Sequence, residues 1–240
     1  MLKAKALFRV TSKEQSGQRA PLFKSFFHSF LKFFVTTLSV FWLSASLLAP
    51  TLWTQDAHAQ AFCALRQPHR AQQRLFPEST SLETFTDEVT DEHRAEVKKE
   101  LNFTLHQAEL GLHTLYAVFK GEGLTKEHIG YLHVRSEEGE WGLIEITWAL
   151  TPDLKVRDFF FQRCREAARR EVQSPTFKKI IQNKEHDVLR ALLTADGGAL
   201  SAPVEGLSAE AQPLAYRLVR SALKTIAVTR AVWHPVVIKP

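Results

Sequence analysis

Apolar and polar positions alternate over much of the middle of the chain, which is the pattern of β-strands. Four segments have strand character, at 113–120, 129–135, 141–150 and 155–161, of which the first is aromatic and the last ends in three Phe. In the third segment Ile144, Ile146 and Trp148 share one face, because successive side chains of a strand point to opposite sides. Thr151-Pro152-Asp153 predicts a tight turn before the fourth segment. Consecutive short strands joined by turns predict an antiparallel sheet.

Helical patterns occur on both sides of these strands. Thr90 caps a predicted helix over 90–101, which has acidic side chains in its first turn and basic ones near its end. After the strands, Pro175 begins a predicted helix over 176–183, and 186–193 is a second short helical segment. Strands followed by helices predict an α+β domain, not a doubly wound one.

A long C-terminal helix provides the last apolar face. Every fourth residue in it is apolar, at Leu214, Leu218, Ala222 and Ile226. These positions form one stripe of a helix, which we expect to pack against the sheet. Pro213 is tolerated only in the first turn of a helix, so the helix is predicted to begin near Gln212 or Pro213.

The first 59 residues have the organisation of an export signal. Residues 1–32 are basic, an apolar run follows over 33–48, and Ala57-His58-Ala59 is a small-x-small cleavage signature. The run is shorter than the ~20 apolar residues of a spanning helix, although Trp53 extends it. Two interpretations remain open: a signal peptide cleaved after Ala59, or an uncleaved membrane anchor over 33–53. Both predict that the rest of the chain is periplasmic or exported, free or held at the inner membrane.

The composition of residues 60–240 predicts three parts. Residues 60–74 are polar and predict a linker, 75–230 a folded domain, and 231–240 a C-terminal tail. The net charge of +5 belongs to the leader, since residues 1–59 carry seven basic and two acidic side chains and the rest carries 24 of each sign. The predicted domain is therefore neutral, and no nucleic-acid partner is expected.

Catalytic and metal-binding motifs are absent from the sequence. The four histidines of the predicted sheet region do not fall at metal-ligand spacing and are interpreted as ordinary strand and loop residues: His106, His113, His128 and His133. No catalytic residue and no metal site are predicted. Cys63 and Cys164 form either a disulfide or two unpaired thiols. Four arginines form either a phosphate clamp or a solvated mixed-charge face: Arg163, Arg165, Arg169 and Arg170.

Several short stretches carry a family resemblance through their order and spacing. Gly130-Tyr131 precedes Gly142, and Thr151-Pro152-Asp153-Leu154-Lys155-Val156 lies at a strand–turn–strand junction. The later stretches are Arg165-Glu166, Glu171-Val172 and 175–179. Over about 75–227 this order resembles the FMN-binding domain family, which includes the G subunit of the Rnf complex and the C subunit of the sodium-pumping NADH:quinone oxidoreductase.

The resemblance implies a cofactor and a place for it. In that family a flavin transferase uses FAD and magnesium to attach FMN, as a phosphoester, to a Thr or Ser of a Ser/Thr-Gly-Ala-Thr motif. Gly206, Leu207 and Ser208 match the last three positions, with Ser208 as the acceptor, and Glu205 stands where Ser or Thr is usual. The implied function is electron transfer at the outer face of the inner membrane, as an electron carrier or redox subunit rather than a stand-alone enzyme. The implied partners are a flavin transferase and membrane redox proteins.

Two departures from the motif favour a second hypothesis. Leu207 is larger than the family's Ala, and Glu205 adds negative charge where a phosphate would lie. A degenerate FMN-binding-like domain without flavin, acting as a binding or assembly module, is the alternative function. A third interpretation, an enzyme that reduces a small substrate on its flavin, lacks a visible substrate-binding domain.

Export with cleavage predicts a defined new N-terminus. N-terminal sequencing of the exported protein should begin at Gln60, because the small-x-small signature ends at Ala59. An intact Met1 in the membrane fraction would instead support the anchor.

Overall fold

One five-stranded antiparallel sheet organises residues 68–234, which are the residues that the computed structural model describes. The strand order is β1-β2-β3-β4-β5, so each strand pairs with its neighbour in sequence. The strands are β1 Ser81–Val89, β2 Gly111–Lys120, β3 Glu127–Gly139, β4 Gly142–Leu150 and β5 Val156–Arg163. The predicted antiparallel sheet is confirmed, and the four predicted segments coincide with β2 to β5.

The sequence pattern does not predict the first strand, because β1 is mostly polar and has no regular alternation of apolar and polar residues. Most of its residues are exposed or half-buried, and only Val89 at its end is fully buried. It pairs with β2 alone, at the edge of the sheet. A polar edge strand is held by backbone hydrogen bonds to its neighbour. Such bonds do not depend on apolar side chains, so the hydrophobic pattern does not reveal the strand.

Six α-helices accompany the sheet within the described residues. They are α1 His69–Leu75, α2 Asp91–Leu101, α3 Arg169–Val172, α4 Pro175–Ile181, α5 His186–Ala191 and α6 Gln212–Trp233. Helices α2, α4, α5 and α6 confirm the predicted ones. The side chain of Thr90 accepts a hydrogen bond from the backbone N–H of His93, as expected of the cap of α2. The predicted α+β class, with flanking helices and a C-terminal helix, is confirmed.

Helix α1 corrects the predicted linker over 60–74. Ala71 and Leu75 are buried and, with Phe76, form a small core against Val118 and Leu132 on one face of the sheet. The sequence of α1 is mostly polar, and its two buried apolar residues are too few to mark it as a helix in the composition of the segment. The folded part therefore begins before Leu75.

The main core lies on the other face of the sheet, under α6. This helix packs against α2 and against strands β1, β3 and β4. The predicted apolar stripe is buried there, and Leu218 has no exposed surface. The helix begins at Gln212, as predicted, but it continues to Trp233 with Val232 and Trp233 buried, so the predicted tail over 231–240 starts too early.

Several predictions concern residues outside 68–234. These are the export signal or anchor over 1–59, most of the linker, Cys63 with its possible pairing to Cys164, and the end of the tail. Within the described residues, no helix is long and apolar enough to cross a membrane.

Candidate functional site

The predicted attachment residues lie in the loop between α5 and α6. Gly206 has φ +79°, in the left-handed region that favours glycine, and a Cβ on it would lie 2.9 Å from the Thr176 methyl carbon. Val204 is buried, and Leu207 is half-buried and packs against the main core. Gly206 therefore allows the backbone conformation of this turn, and Leu207 holds the loop against the core.

Ser208 makes both of its donor contacts to one carboxylate. Its backbone N–H donates to Glu171 Oε2 at 2.9 Å, and its hydroxyl donates to Glu171 Oε1 at 3.0 Å. Glu171 belongs to α3, 37 residues earlier in the chain. A carboxylate thus occupies the position from which the oxygens of a phosphate would approach this N–H.

The helix dipole of α6 does not act directly at Ser208. A 3-10 turn, Ala209–Ala211, separates Ser208 from α6, which begins at Gln212 as predicted, so Ser208 is not at that helix's N-terminus. The side-chain amide of Gln212 closes the loop instead. It accepts from the Val204 N–H at 2.8 Å and donates to the carbonyls of Val204 and Leu207 at 3.0 and 3.3 Å. The role of Ser208 as flavin acceptor stays a prediction.

Two of the arginines near β5, Arg163 and Arg169, contact different residues. Arg163 lies 3.9 Å from Glu145, whereas the Arg169 guanidinium lies over the Phe161 ring, 5.8 Å from its centroid. These two side chains therefore have different partners, and the choice between a phosphate clamp and a solvated mixed-charge face for the four arginines stays open.

A buried ionic network lies between β3 and α6. Lys224 Nζ donates to Glu109 Oε1 at 2.8 Å and to Glu137 Oε2 at 2.6 Å, and Arg135 also donates to Glu109 Oε1. Arg135 has no exposed surface, and Glu109 and Lys224 are nearly as buried. Burial alone would raise the pKa of Glu109, but the charges of Arg135 and Lys224 lower it to about 2. Glu109 is therefore ionised, and the network joins two basic side chains to two acidic ones.

Two buried histidines extend this network towards the end of α6. His113 Nε2 lies 2.8 Å from the Glu109 carbonyl oxygen, and since a carbonyl only accepts, this nitrogen carries the proton. His113 Nδ1 then accepts from His133 Nε2 at 3.3 Å, and His133 Nδ1 accepts from the Thr229 hydroxyl at 3.1 Å. Burial lowers the pKa of His113 to about 4 and that of His133 well below its ordinary value. Both rings are therefore neutral at pH 7.

A cavity of about 610 Å³ opens beside the ionic network. Its walls are α6, the segment 104–109, one end of β3 and Arg94 of α2. Arg217, Arg220 and Lys224 line it from α6 at spacings of three and four residues, so they lie on one helix face. Gly206, Leu207 and Ser208 are not among its lining residues.

Sequence reasoning missed this cavity. The signal is present in the basic positions of α6, but the prediction rests on the apolar stripe of that helix alone. The partners from 104–109 and β3 are distant in sequence and give no signal of their own. As predicted, His113, His128 and His133 lie in strands and His106 lies in a loop, but sequence reasoning did not find that His113 and His133 are buried and hydrogen-bonded to each other.

Neither a metal site nor a known relative identifies the function of this site. Within residues 68–234, no group of three or more His, Cys, Asp or Glu side chains is placed to hold a metal ion. No family model, curated protein or solved structure matches the chain. The site is therefore defined by its own geometry.

Removing the Lys224 charge should destabilise the fold strongly. Lys224→Met leaves two carboxylates against one guanidinium in a buried place, and we expect the free energy of unfolding to fall by about 3–5 kcal/mol. Adding Glu137→Gln restores the charge balance and should recover part of the loss. Urea unfolding of both variants, with the exposed Lys179→Met as control, measures this. A cost for Lys224→Met no larger than that for Lys179→Met would contradict it.

Acid should weaken the fold through the two neutral histidines. The unfolded chain protonates each of them near pH 6.5, whereas the folded chain keeps His113 neutral down to about pH 4. Their stabilising contribution is therefore present above pH 6.5 and is lost as the pH falls towards 4. Between pH 7 and pH 5 we expect His113 to contribute a decrease of about 2 kcal/mol in the free energy of unfolding.

The matched variants are His113→Gln and His234→Gln. Glutamine has a donor and an acceptor to replace the ring nitrogens of His113, and it does not titrate, so the loss between pH 7 and pH 5 should shrink by about 2 kcal/mol. His234 is exposed and serves as the control, for which the loss should be unchanged. Denaturant unfolding at pH 7, 6 and 5 measures both. An unchanged pH dependence in His113→Gln would show that this histidine is not held neutral.

Proposed function

We propose that the exported part of the chain is an FMN-binding-like domain that carries no flavin ester and acts as a binding or assembly module at the outer face of the inner membrane. One observation carries this proposal: Glu171 holds both the N–H and the hydroxyl of Ser208. Export is supported by the sequence pattern of residues 1–59.

The physical argument concerns the charge of a phosphoester. Flavin attachment would replace the Ser208 hydroxyl proton with a phosphate, which would then lie beside the Glu171 carboxylate. Two like charges 4 Å apart repel by about 1 kcal/mol in water and about 4 kcal/mol near a protein surface. Exposed Glu205 adds a further negative charge directly before Gly206, at the turn itself. The residues present therefore do not fit a flavin ester.

Residues of the protein itself satisfy backbone hydrogen-bonding groups of the loop, without a cofactor. The amide of Gln212 satisfies backbone groups of Val204 and Leu207, and Leu207 packs against the core. A loop whose polar groups are satisfied by its own side chains is stable without a ligand. This supports a domain that keeps the fold after losing the attachment chemistry.

A second candidate function is electron transfer by a covalently bound FMN. Gly206 adopts the positive φ that a close backbone turn requires, and Ser208 is only half-buried. In that case Gly206, Leu207 and Ser208 hold the flavin phosphate, and a flavin transferase and membrane redox proteins are the partners. The Glu171 side chain would have to leave Ser208 first.

Flavin attachment can be tested by co-expressing the full chain with an active flavin transferase. A phosphoester survives denaturation, so an attached flavin fluoresces on a denaturing gel. We expect the wild type to be dark, since Glu171 blocks the acceptor. Glu171→Gln combined with Glu205→Thr and Leu207→Ala removes the charges and restores the family residues, and this variant should fluoresce.

Two further variants make the experiment decisive. Adding Ser208→Ala to the combined variant should abolish the fluorescence, whereas Glu210→Gln alone, at a nearby exposed carboxylate, should leave the protein dark. A fluorescent wild type that darkens in Ser208→Ala would establish the electron carrier instead. A dark combined variant would show that Glu171 is not what prevents attachment. A protein known to be flavinylated serves as the control for transferase activity.

A further inference from the structure

The cavity beside α6 has a wall of positive charge that the protein compensates only in part. Glu109 and Glu137 also line it, but Lys224 binds both of them and Arg135 binds Glu109. Those four charges cancel within the buried network. The cationic side chains that remain in the lining are three arginines, Arg94, Arg217 and Arg220, and the remaining acid is Glu138, which is exposed at the rim.

The three arginines differ in what they already bind. Arg94 donates to Thr104 and Gln107 at 3.1 and 2.8 Å, so the protein itself occupies its guanidinium. Arg217 makes no hydrogen bond or ion pair to any other residue of the described part of the chain. The Nε atom of Arg220 is buried and has no acceptor there either. Two neighbouring guanidinium groups therefore line the cavity, and neither forms an ion pair with a described residue.

Arg220 is held in place for a ligand. Its guanidinium stacks on Phe103, 4.7 Å from the ring centroid, and donates to the Tyr216 hydroxyl oxygen at 3.2 Å. Tyr216 in turn donates its proton to the Gly197 carbonyl at 3.0 Å, which leaves its oxygen free to accept. A guanidinium fixed in this way loses little conformational entropy when it binds.

The charge and spacing of these two arginines suit an anion. Arg217 and Arg220 are three residues apart on one helix face, where like charges repel unless an anion lies between them. A planar or tetrahedral oxyanion accepts two parallel hydrogen bonds from a guanidinium, which adds both affinity and a fixed orientation. A cavity of about 610 Å³ also has room for an organic body, which would contact Leu105 and Tyr216.

We propose that this cavity binds a small organic anion, whose carboxylate or phosphate group is held between Arg217 and Arg220. The proposal goes beyond the flavin question, because Gly206, Leu207 and Ser208 do not line the cavity. The two sites are tested by different variants, so failure of one leaves the other standing.

The experiment is a titration of the purified full chain with two simple probes. Inorganic phosphate and succinate are titrated separately by calorimetry, at constant ionic strength set with sodium chloride. We expect saturable binding of at least one probe, accompanied by a rise in the melting temperature that grows with probe concentration. Tighter binding of phosphate identifies a phosphorylated ligand, and tighter binding of succinate identifies a carboxylate ligand. Absence of saturable binding by both probes would overturn the proposal.

Arg217→Gln is the deciding variant. It removes the charge without breaking a contact to any described residue, so the melting temperature without anion should not fall. Loss of one charge-assisted contact should weaken probe binding about tenfold or more. Arg170→Gln, at an exposed arginine outside the cavity, is the matched control and should bind like the wild type. Equal weakening by the two variants would reveal a general effect of net charge and overturn the site.

Discussion

The fold depends on an ionic contact that apolar packing alone would not produce: Lys224 of α6 and Arg135 of β3 share the carboxylate of Glu109. The face of β3 that meets α6 carries His133, Arg135 and Glu137 in alternate positions, so polar groups enter the interior together. Burying such charges costs several kcal/mol for each ion unless every one is paired. Helix α6 must therefore present matching groups at this point.

This requirement fixes the position of the helix on the sheet. Apolar packing tolerates exchanges among aliphatic side chains of similar volume, so it specifies the partner of each side chain less strictly than a charge does. A buried cation has only one place where both Glu109 and Glu137 are within reach. The hydroxyl of Thr229 adds a second fixed point towards the end of the helix. The cavity shares Lys224 with the network, so the placement of its arginine wall follows from the same constraint.

The sheet and the long helix can be predicted from the sequence because their signals are local. Alternation over 141–150 and the fourfold stripe of α6 each arise within one element. Contacts that define the sites join distant residues: Lys224 and Glu109 are 115 positions apart, and Ser208 and Glu171 are 37 apart. A lone Glu or Lys in a sequence carries no sign of its partner. For this reason Gly206 and Ser208 are identified through a family resemblance, whereas the arginine wall is found only in the fold.

The histidine chain has a further consequence for how α6 is joined to the sheet. Every donor in it points the same way, from the Thr229 hydroxyl through His133 and His113 to the Glu109 carbonyl. Reversing the order would require that carbonyl to donate, which it cannot do. The chain is buried, and it connects Thr229, near the end of α6, to His133 in β3 and His113 in β2.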